Sequence, residues 1–246
     1  MKKSKTLDAK DLRILRELEN DARKSITSIA RKAMVSKDVA IYRIKKLFNE
    51  GVIKSIKPII DTFLLGITTY SIILDLHNLK KNTRKEILEN LRSKKNISVN
   101  KFLQSDSDLE ILIDVKLPGD LYQFYENFLA KYAKFIQKIE LSVVTKKHFF
   151  GNRYLLNTSN SVILEGTKKF LKIDEKDWDL LEILKKDPRI PVIDIAQKLG
   201  ISSVSVIRRI RKLKSEGVIR GYLVILDNRA IHRELYKVRV LLRNAS

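Results

Sequence analysis

"SSVSVIRRIRKLKSEGVIRGY", residues 202–222, holds six basic side chains against one acid, and its apolar residues recur at helical spacing before an apolar strand begins. It has a twin, "SKDVAIYRIKKLFNEGVIKSI", at residues 36–56. Both belong to a longer internal repeat: residues 7–61 and 173–227 align without a gap at an offset of 166, with about 22 of 55 positions identical. One supersecondary unit therefore occurs twice, separated by about 110 residues of different character.

Each copy reads as three helices and a strand. The first helix opens on an Asp with a second acid three residues later, Asp8 with Asp11 and Asp174 with Asp177, which suits a positively polarised helix N-terminus. Leu12, Leu15 and Leu18 in copy one, and Trp178, Leu181 and Leu184 in copy two, form its core face; Trp178 reads as a packing residue rather than a stacking platform for a base. A second short helix spans residues 26–33 and 192–199, with Pro191 in its first turn. The turn that follows has Gly200 in copy two but Met34 in copy one, so copy one is expected to carry strain or a slightly altered turn there.

Ser36 and Ser202 stand as N-caps of a third helix. Its buried stripe is Ala40, Ile44 and Leu47 in one copy and Val206, Ile210 and Leu213 in the other. At about 100° per residue the opposite face carries Asp38, Val39, Tyr42, Lys45 and Lys46, or Val204, Ser205, Arg208, Arg211 and Lys212. Gly51 and Gly217 end these helices before an apolar strand. Helix, turn, helix and following strand make a winged arrangement whose third helix fits a major groove.

The whole chain has 246 residues, room for roughly two ordinary domains. Its 50 Lys+Arg against 29 Asp+Glu leave +21, an excess that serves a polyanion or an anionic surface. There is no cysteine, which excludes disulfides, thiolate catalysis and Cys-ligated metals, and His77, His148 and His232 are too far apart in sequence for a local metal motif. No metal and no cofactor is expected. The apolar runs fall far short of the ~20 residues of a spanning helix, and "MKKSKTLDAKD" lacks the apolar core of a signal peptide, so a cytoplasmic protein is expected.

"LDAKDLRILRELENDARKSITSIARKAMVSKDVAIYRIKKLFNEGVI" and "IDEKDWDLLEILKKDPRIPVIDIAQKLGISSVSVIRRIRKLKSEGVIRGY" both resemble the DNA-binding domain of the Lrp/AsnC (feast/famine) transcription regulators. The opening L/I-D-x-x-D, the internal D-x-R, the "LGIS" turn of copy two and the closing L-x-x-E-G-V-I carry the resemblance over about 50 residues per copy. It implies a βαββαβ module after copy one that dimerises and often binds an amino-acid-like effector. The order of strand and helix patterns between Thr68 and Lys147 fits that ferredoxin-like module, with Tyr122, Phe124, Tyr125 and Phe128 as core or dimer contacts. One departure argues against the usual effector path: Ser105 stands where the family has the Gly of G-x-x-D, although Asp108 is kept.

The expected fold class is α+β, with two winged helix-turn-helix domains flanking a ferredoxin-like βαββαβ domain. The boundaries are 1–61 and 173–227 for the winged units, 62–150 for the central domain, 151–172 for a linker containing the strand candidate "SVILE", and 228–246 for the start of a second, truncated βαββαβ domain.

The expected partners are double-stranded DNA and a second copy of the chain through the central domain, with an amino-acid-like effector as a further possibility. Lys37, Asp38, Val39 and Tyr42 in copy one, and Ser203, Val204, Ser205 and Arg208 in copy two, would approach base edges. Arg43, Lys45, Lys46, Arg209, Arg211 and Lys212 would grip phosphates, helped by Lys54, Lys57 and Arg220 in the wings. Two rival readings stay open. Siroheme decarboxylases share a similar layout, and His77, His148, Arg84, Arg92 and Arg153 would be the candidate residues for an anionic macrocycle. In the other rival, helix-turn-helix units that no longer bind DNA serve protein assembly.

Overall fold

The computed structural model describes residues 7–94, 96–100, 108–152, 161–167, 169–234, 236, 238 and 240, which fall into two compact units. One unit joins residues 1–61, 148–163 and 172–246; the other holds residues 62–147 and 164–171. The two sequence repeats, expected as separate domains, therefore share one unit.

In copy one, α1 (Ala9–Asn20), α2 (Ile26–Ala33) and α3 (Lys37–Asn49) lead into strand β1 (Ile53–Ile60). The first helix starts where the acids say it should. The Asp8 carboxylate accepts from the N–H groups of Lys10 and Asp11, and Asp11 reaches back to the Asp8 N–H, closing a capping box. Ile14, Leu15 and Leu18 of α1 are fully buried, and Ala40, Ile44 and Leu47 of α3 form its buried stripe as the spacing predicts.

Met34 caps α2 in the left-handed region (φ 56°, ψ 50°), the conformation Gly200 adopts in copy two (φ 63°). An L side chain with a Cβ is disfavoured there by about 1–2 kcal/mol, and Met34 is 69% exposed, so packing does not compensate. Met34→Gly is expected to stabilise the chain by about 0.5–1 kcal/mol, the gain being trimmed by the entropy glycine adds to the unfolded chain. Urea unfolding of the two proteins checks the sign.

The central unit opens with β2 (Thr68–Leu76), followed by α4 (Lys81–Arg92), β3 (Ile97–Asn100), β4 (Asp108–Val115), α5 (Pro118–Tyr132), a 3₁₀ turn (Ala133–Phe135) and β5 (Ile136–Val144). Its four strands lie in the order β3-β4-β2-β5, all neighbours antiparallel, which is the ferredoxin-like βαββαβ topology. Period-two alternation sends Ile72, Leu74, Leu76, Leu109, Ile111, Ile113 and Val115 to one face. Ile87 and Leu91 of α4, with Phe124, Phe128 and Tyr132 of α5, complete that core, whereas Tyr122 is exposed. The position of Ser105 lies outside the described residues, as does the Asp108 side chain.

Strand β6 (Lys146–Phe149) pairs with β7 (Val162–Glu165), so the "SVILE" candidate is a strand. Copy two then repeats the architecture with α6 (Glu175–Lys186), α7 (Val192–Leu199), α8 (Ser203–Ser215) and β8 (Ile219–Leu226). Pro191 is the N-cap of α7 rather than its first helical residue. Within 228–246, the stretch expected to begin a second βαββαβ module, residues 228–234, 236, 238 and 240 are described and none of them lies in a strand; the others lie outside the described residues.

The two copies are joined through their strands: β1 pairs antiparallel with β8. Lys57 faces Leu223, Ile56 faces Val224 and Pro58 faces Tyr222. Under the offset of 166, Lys57 and Leu223 are equivalent positions, so the pairing has a pseudo-two-fold axis through that pair. The flanking contacts obey it. The Asp61 N–H donates to the Val218 carbonyl at 2.8 Å, and the Asp227 N–H to the Val52 carbonyl at 2.9 Å. Register shifts fall at Lys54 and at Arg220, again equivalent residues. Helix α1 packs on β8 and α6 on β1, each first helix resting on the other copy's strand.

Two arginines lock the same axis. Arg23 Nη1 donates to the carbonyls of Pro188 (2.9 Å) and Ile190 (3.1 Å), while Arg189 returns the contact to the carbonyls of Ala22 and Lys24. Asp21 and Asp187, two residues earlier, accept from the N–H groups of Arg23 and Arg189 and so fix each loop. This is the physical content of the D-x-R motif. Burial, with the like charge of Arg23 as a smaller cause, pushes Arg189 below its usual value, but a guanidinium stays charged at neutral pH regardless. Tyr222 on β8 is pushed up to about 12, chiefly by burial.

Candidate nucleic-acid interface

The third helices are held by a charge clamp built from the first helix. Arg43 Nη1 donates to Asp8 at 2.7 Å and to Asp11 at 2.8 Å. In copy two, Arg209 Nη1 donates to Asp174 and to Asp177, both at 2.7 Å. Asp177 has no solvent exposure, so its partner must supply what water cannot. The Asp174 carboxyl is held below the ordinary aspartate value, first by the Arg209 hydrogen bond and then by the Asp177 N–H; Asp8 is lowered first by the Asp11 N–H, with Arg43 contributing.

This placement changes the task of two residues that the sequence assigns to phosphate. Arg43 and Arg209 sit half-buried behind the helix, with their guanidinium groups engaged by two carboxylates each. The acids flanking them explain why: the repeat carries Asp8, Asp11 and Arg43, or Asp174, Asp177 and Arg209, as the same triad in both copies.

The remaining predicted positions divide cleanly. On α3, Lys37, Asp38, Val39, Tyr42, Lys45 and Lys46 are exposed. On α8, Val204 (76%), Arg208, Arg211 and Lys212 are exposed, whereas Ser203 and Ser205 are half-buried. Lys212 leans toward the clamp, its Nζ 3.7 Å from Asp177. Ser36 Oγ accepts from the Val39 N–H and Ser202 Oγ from the Ser205 N–H, which confirms both caps; Ser205 also shares a hydroxyl contact with Ser202 at 3.0 Å.

Among the wing residues, Lys54 pairs with Asp227 at 3.1 Å and Lys57 Nζ donates to the Lys185 carbonyl at 2.9 Å. Arg220 is exposed beside a cavity of about 250 Å³ whose walls include Glu19, Phe149 and Tyr222. Burial pushes the Glu19 carboxyl up, against the hydrogen bonds from Asn152. Lys214 bridges the copies, its Nζ 2.9 Å from Asp21.

Sequence reasoning missed Ile207, exposed on α8, and the crossed Arg23 and Arg189 contacts. The D-x-R motif was a signal for the arginines, since both copies carry it at the loop between first and second helices.

Comparison with known proteins agrees with this geometry. Residues 7–47 match the family described as the AsnC-type helix-turn-helix domain, and residues 173–220 match winged helix-turn-helix DNA-binding. The chain thus carries two helix-turn-helix units resembling those of Lrp/AsnC transcription regulators. The HTH-type transcriptional regulator LrpA of Pyrococcus horikoshii is 41% identical over 66 residues, 27% of this chain and 47% of that protein. The leucine-responsive regulatory protein of Rhizobium meliloti is 38% identical over 65 residues, 26% of this chain and 42% of that protein. The chain spans about half the length of the curated relatives it matches.

Among solved structures, the siroheme decarboxylase NirDL superposes with a TM-score of 0.58 at 16% identity, covering 89% of this chain and 65% of that one. That likeness concerns the fold. In the described residues no helix is long and apolar enough to cross a membrane.

Proposed function

We propose that the chain is a double-stranded DNA-binding transcription regulator and not an enzyme, with α3 and α8 entering major grooves. The observation that carries this reading is the repeated division of labour on the third helix. In both copies one arginine faces inward to a buried clamp while the cations on the opposite side, Lys45 and Lys46 or Arg208 and Arg211, stand exposed. A helix used only for packing has no need to hold its cationic face outward twice. The N-terminal turns of α3 and α8 approach base edges, and Lys45, Lys46, Arg211 and Lys212 neutralise phosphates and set the register.

In this reading the central module supplies contacts to a second copy, and linked heads gain affinity through effective concentration. The protein works in the cytoplasm without metal or cofactor.

The fold likeness to a siroheme decarboxylase supports a second reading, in which the same layout holds an anionic tetrapyrrole. His77 and Arg92 of the central unit are exposed, as is His148, Arg84 is half-buried, and Arg153 lies outside the described residues. One experiment separates the readings. The purified chain is mixed with random-sequence duplex at low salt on a native gel, and in parallel with an iron porphyrin in a cuvette. Retention of the duplex with an unshifted Soret band is the expected result; a shifted Soret band with no retained duplex would replace the regulator with the enzyme.

A further inference from the structure

We infer that one chain reads two unlike half-sites, so that the element it binds is composite, with dissimilar halves at a single fixed spacing. This rests on the reading of α3 and α8 as DNA-entering helices.

The argument comes from what the pseudo-two-fold keeps and what it changes. Apart from Ala40 and Val206, the third-helix positions that build the scaffold are the same in both copies: the Ser36 and Ser202 caps, the Arg43 and Arg209 clamps, and the buried Ile44 with Leu47 and Ile210 with Leu213. The four positions assigned to base edges over the first turns all differ. Lys37 answers to Ser203, Asp38 to Val204, Val39 to Ser205 and Tyr42 to Arg208. A symmetric frame therefore presents two chemically different faces.

On α8, Arg208 offers a fork of donors that matches guanine O6 and N7, and Val204 offers methyl groups suited to a thymine methyl. On α3 neither is available at the equivalent positions. Asp38 accepts only, so it repels the acceptor pair of guanine and suits the amino group of cytosine, while Tyr42 puts an aromatic ring with one hydroxyl where α8 has a cation. The two halves of the target must differ in the same way.

Spacing is fixed because the heads are not independent. The β1 and β8 pairing and the crossed Arg23 and Arg189 contacts tie the two helix-turn-helix bodies at their bases, inside one compact unit. Association of two chains would repeat this composite element as a whole and would not make its halves alike.

The test is selection of bound duplexes from a randomised library by the full chain, with sequencing of the enriched pool. The expected result is one motif with two dissimilar halves at one separation. Arg208→Ala should relax the preference in one half alone, by about 5- to 150-fold in base discrimination. Replacing Lys37, Asp38, Val39 and Tyr42 together by their copy-two counterparts should make the halves alike. Like halves within the element read by one chain, a motif with one half only, or halves at variable separation would each overturn the inference while leaving DNA binding intact. Enrichment of nothing would remove the DNA-binding reading itself, and this inference with it.

Discussion

Raising the salt concentration from 50 to 200 mM is expected to weaken duplex binding by about 10³- to 10⁵-fold, because a protein that neutralises six to ten phosphates releases a comparable number of condensed counterions. The exposed cations that can do this are Lys45, Lys46, Arg211, Lys212, Lys54, Lys57 and Arg220. Fluorescence anisotropy with a labelled duplex across that range gives the slope of log affinity against log salt. Lys45→Glu with Arg208→Glu should flatten the slope and abolish retention at moderate salt, since each reversal replaces an attraction with a repulsion. Arg43 and Arg209 make the informative contrast. Their charge is already matched by two carboxylates each, so their replacement should leave the slope of the surviving folded protein where it was. A flat dependence for the unaltered chain would contradict the proposed function.

Arg209→Met should instead unfold copy two at lower denaturant. Asp177 is wholly buried, and removing Arg209 leaves its carboxylate only the longer 3.7 Å contact with Lys212, a loss of up to about 3–5 kcal/mol. Replacing Arg209 and Asp177 together by Met and Leu should recover much of that loss, because an apolar pair of similar volume leaves no charge unmatched. Urea unfolding of the three proteins reads the difference.

The clamp also sets the response to acid. Asp174 and Asp8 have folded-state values below the ordinary aspartate value of about 3.9, so their contribution is complete above that pH and is lost as pH falls through the lowered values. Stability of the unaltered chain should therefore drop below about pH 4, and Asp174→Asn should remove part of that dependence.

Much of this was legible in the sequence because it is local. The caps at Ser36 and Ser202, the buried stripe of each third helix and the left-handed residue at Met34 follow from spacing and backbone preference within a few residues. The central topology was implied by the family resemblance, and the order of periodic segments fitted it. What escaped was long-range. Arg43 looked like any other cation of a basic helix, and only the folded chain brings Asp8 and Asp11, 35 and 32 residues away, to within hydrogen-bonding distance of it. Strands β1 and β8 each read as the closing strand of a self-contained unit, because a strand's own sequence does not name its partner.

That partnership has a consequence for how the chain comes to be made. Residues 53–60 leave the ribosome well before residues 219–226, and synthesis at about 5–20 residues per second separates them by roughly 10–30 s. For that interval the nascent N-terminal copy presents an apolar edge with no complement, open to any other extended segment nearby. A folding helper that shields nascent edges, or slow late docking of the finished C-terminal copy, is where the yield of native protein would be decided.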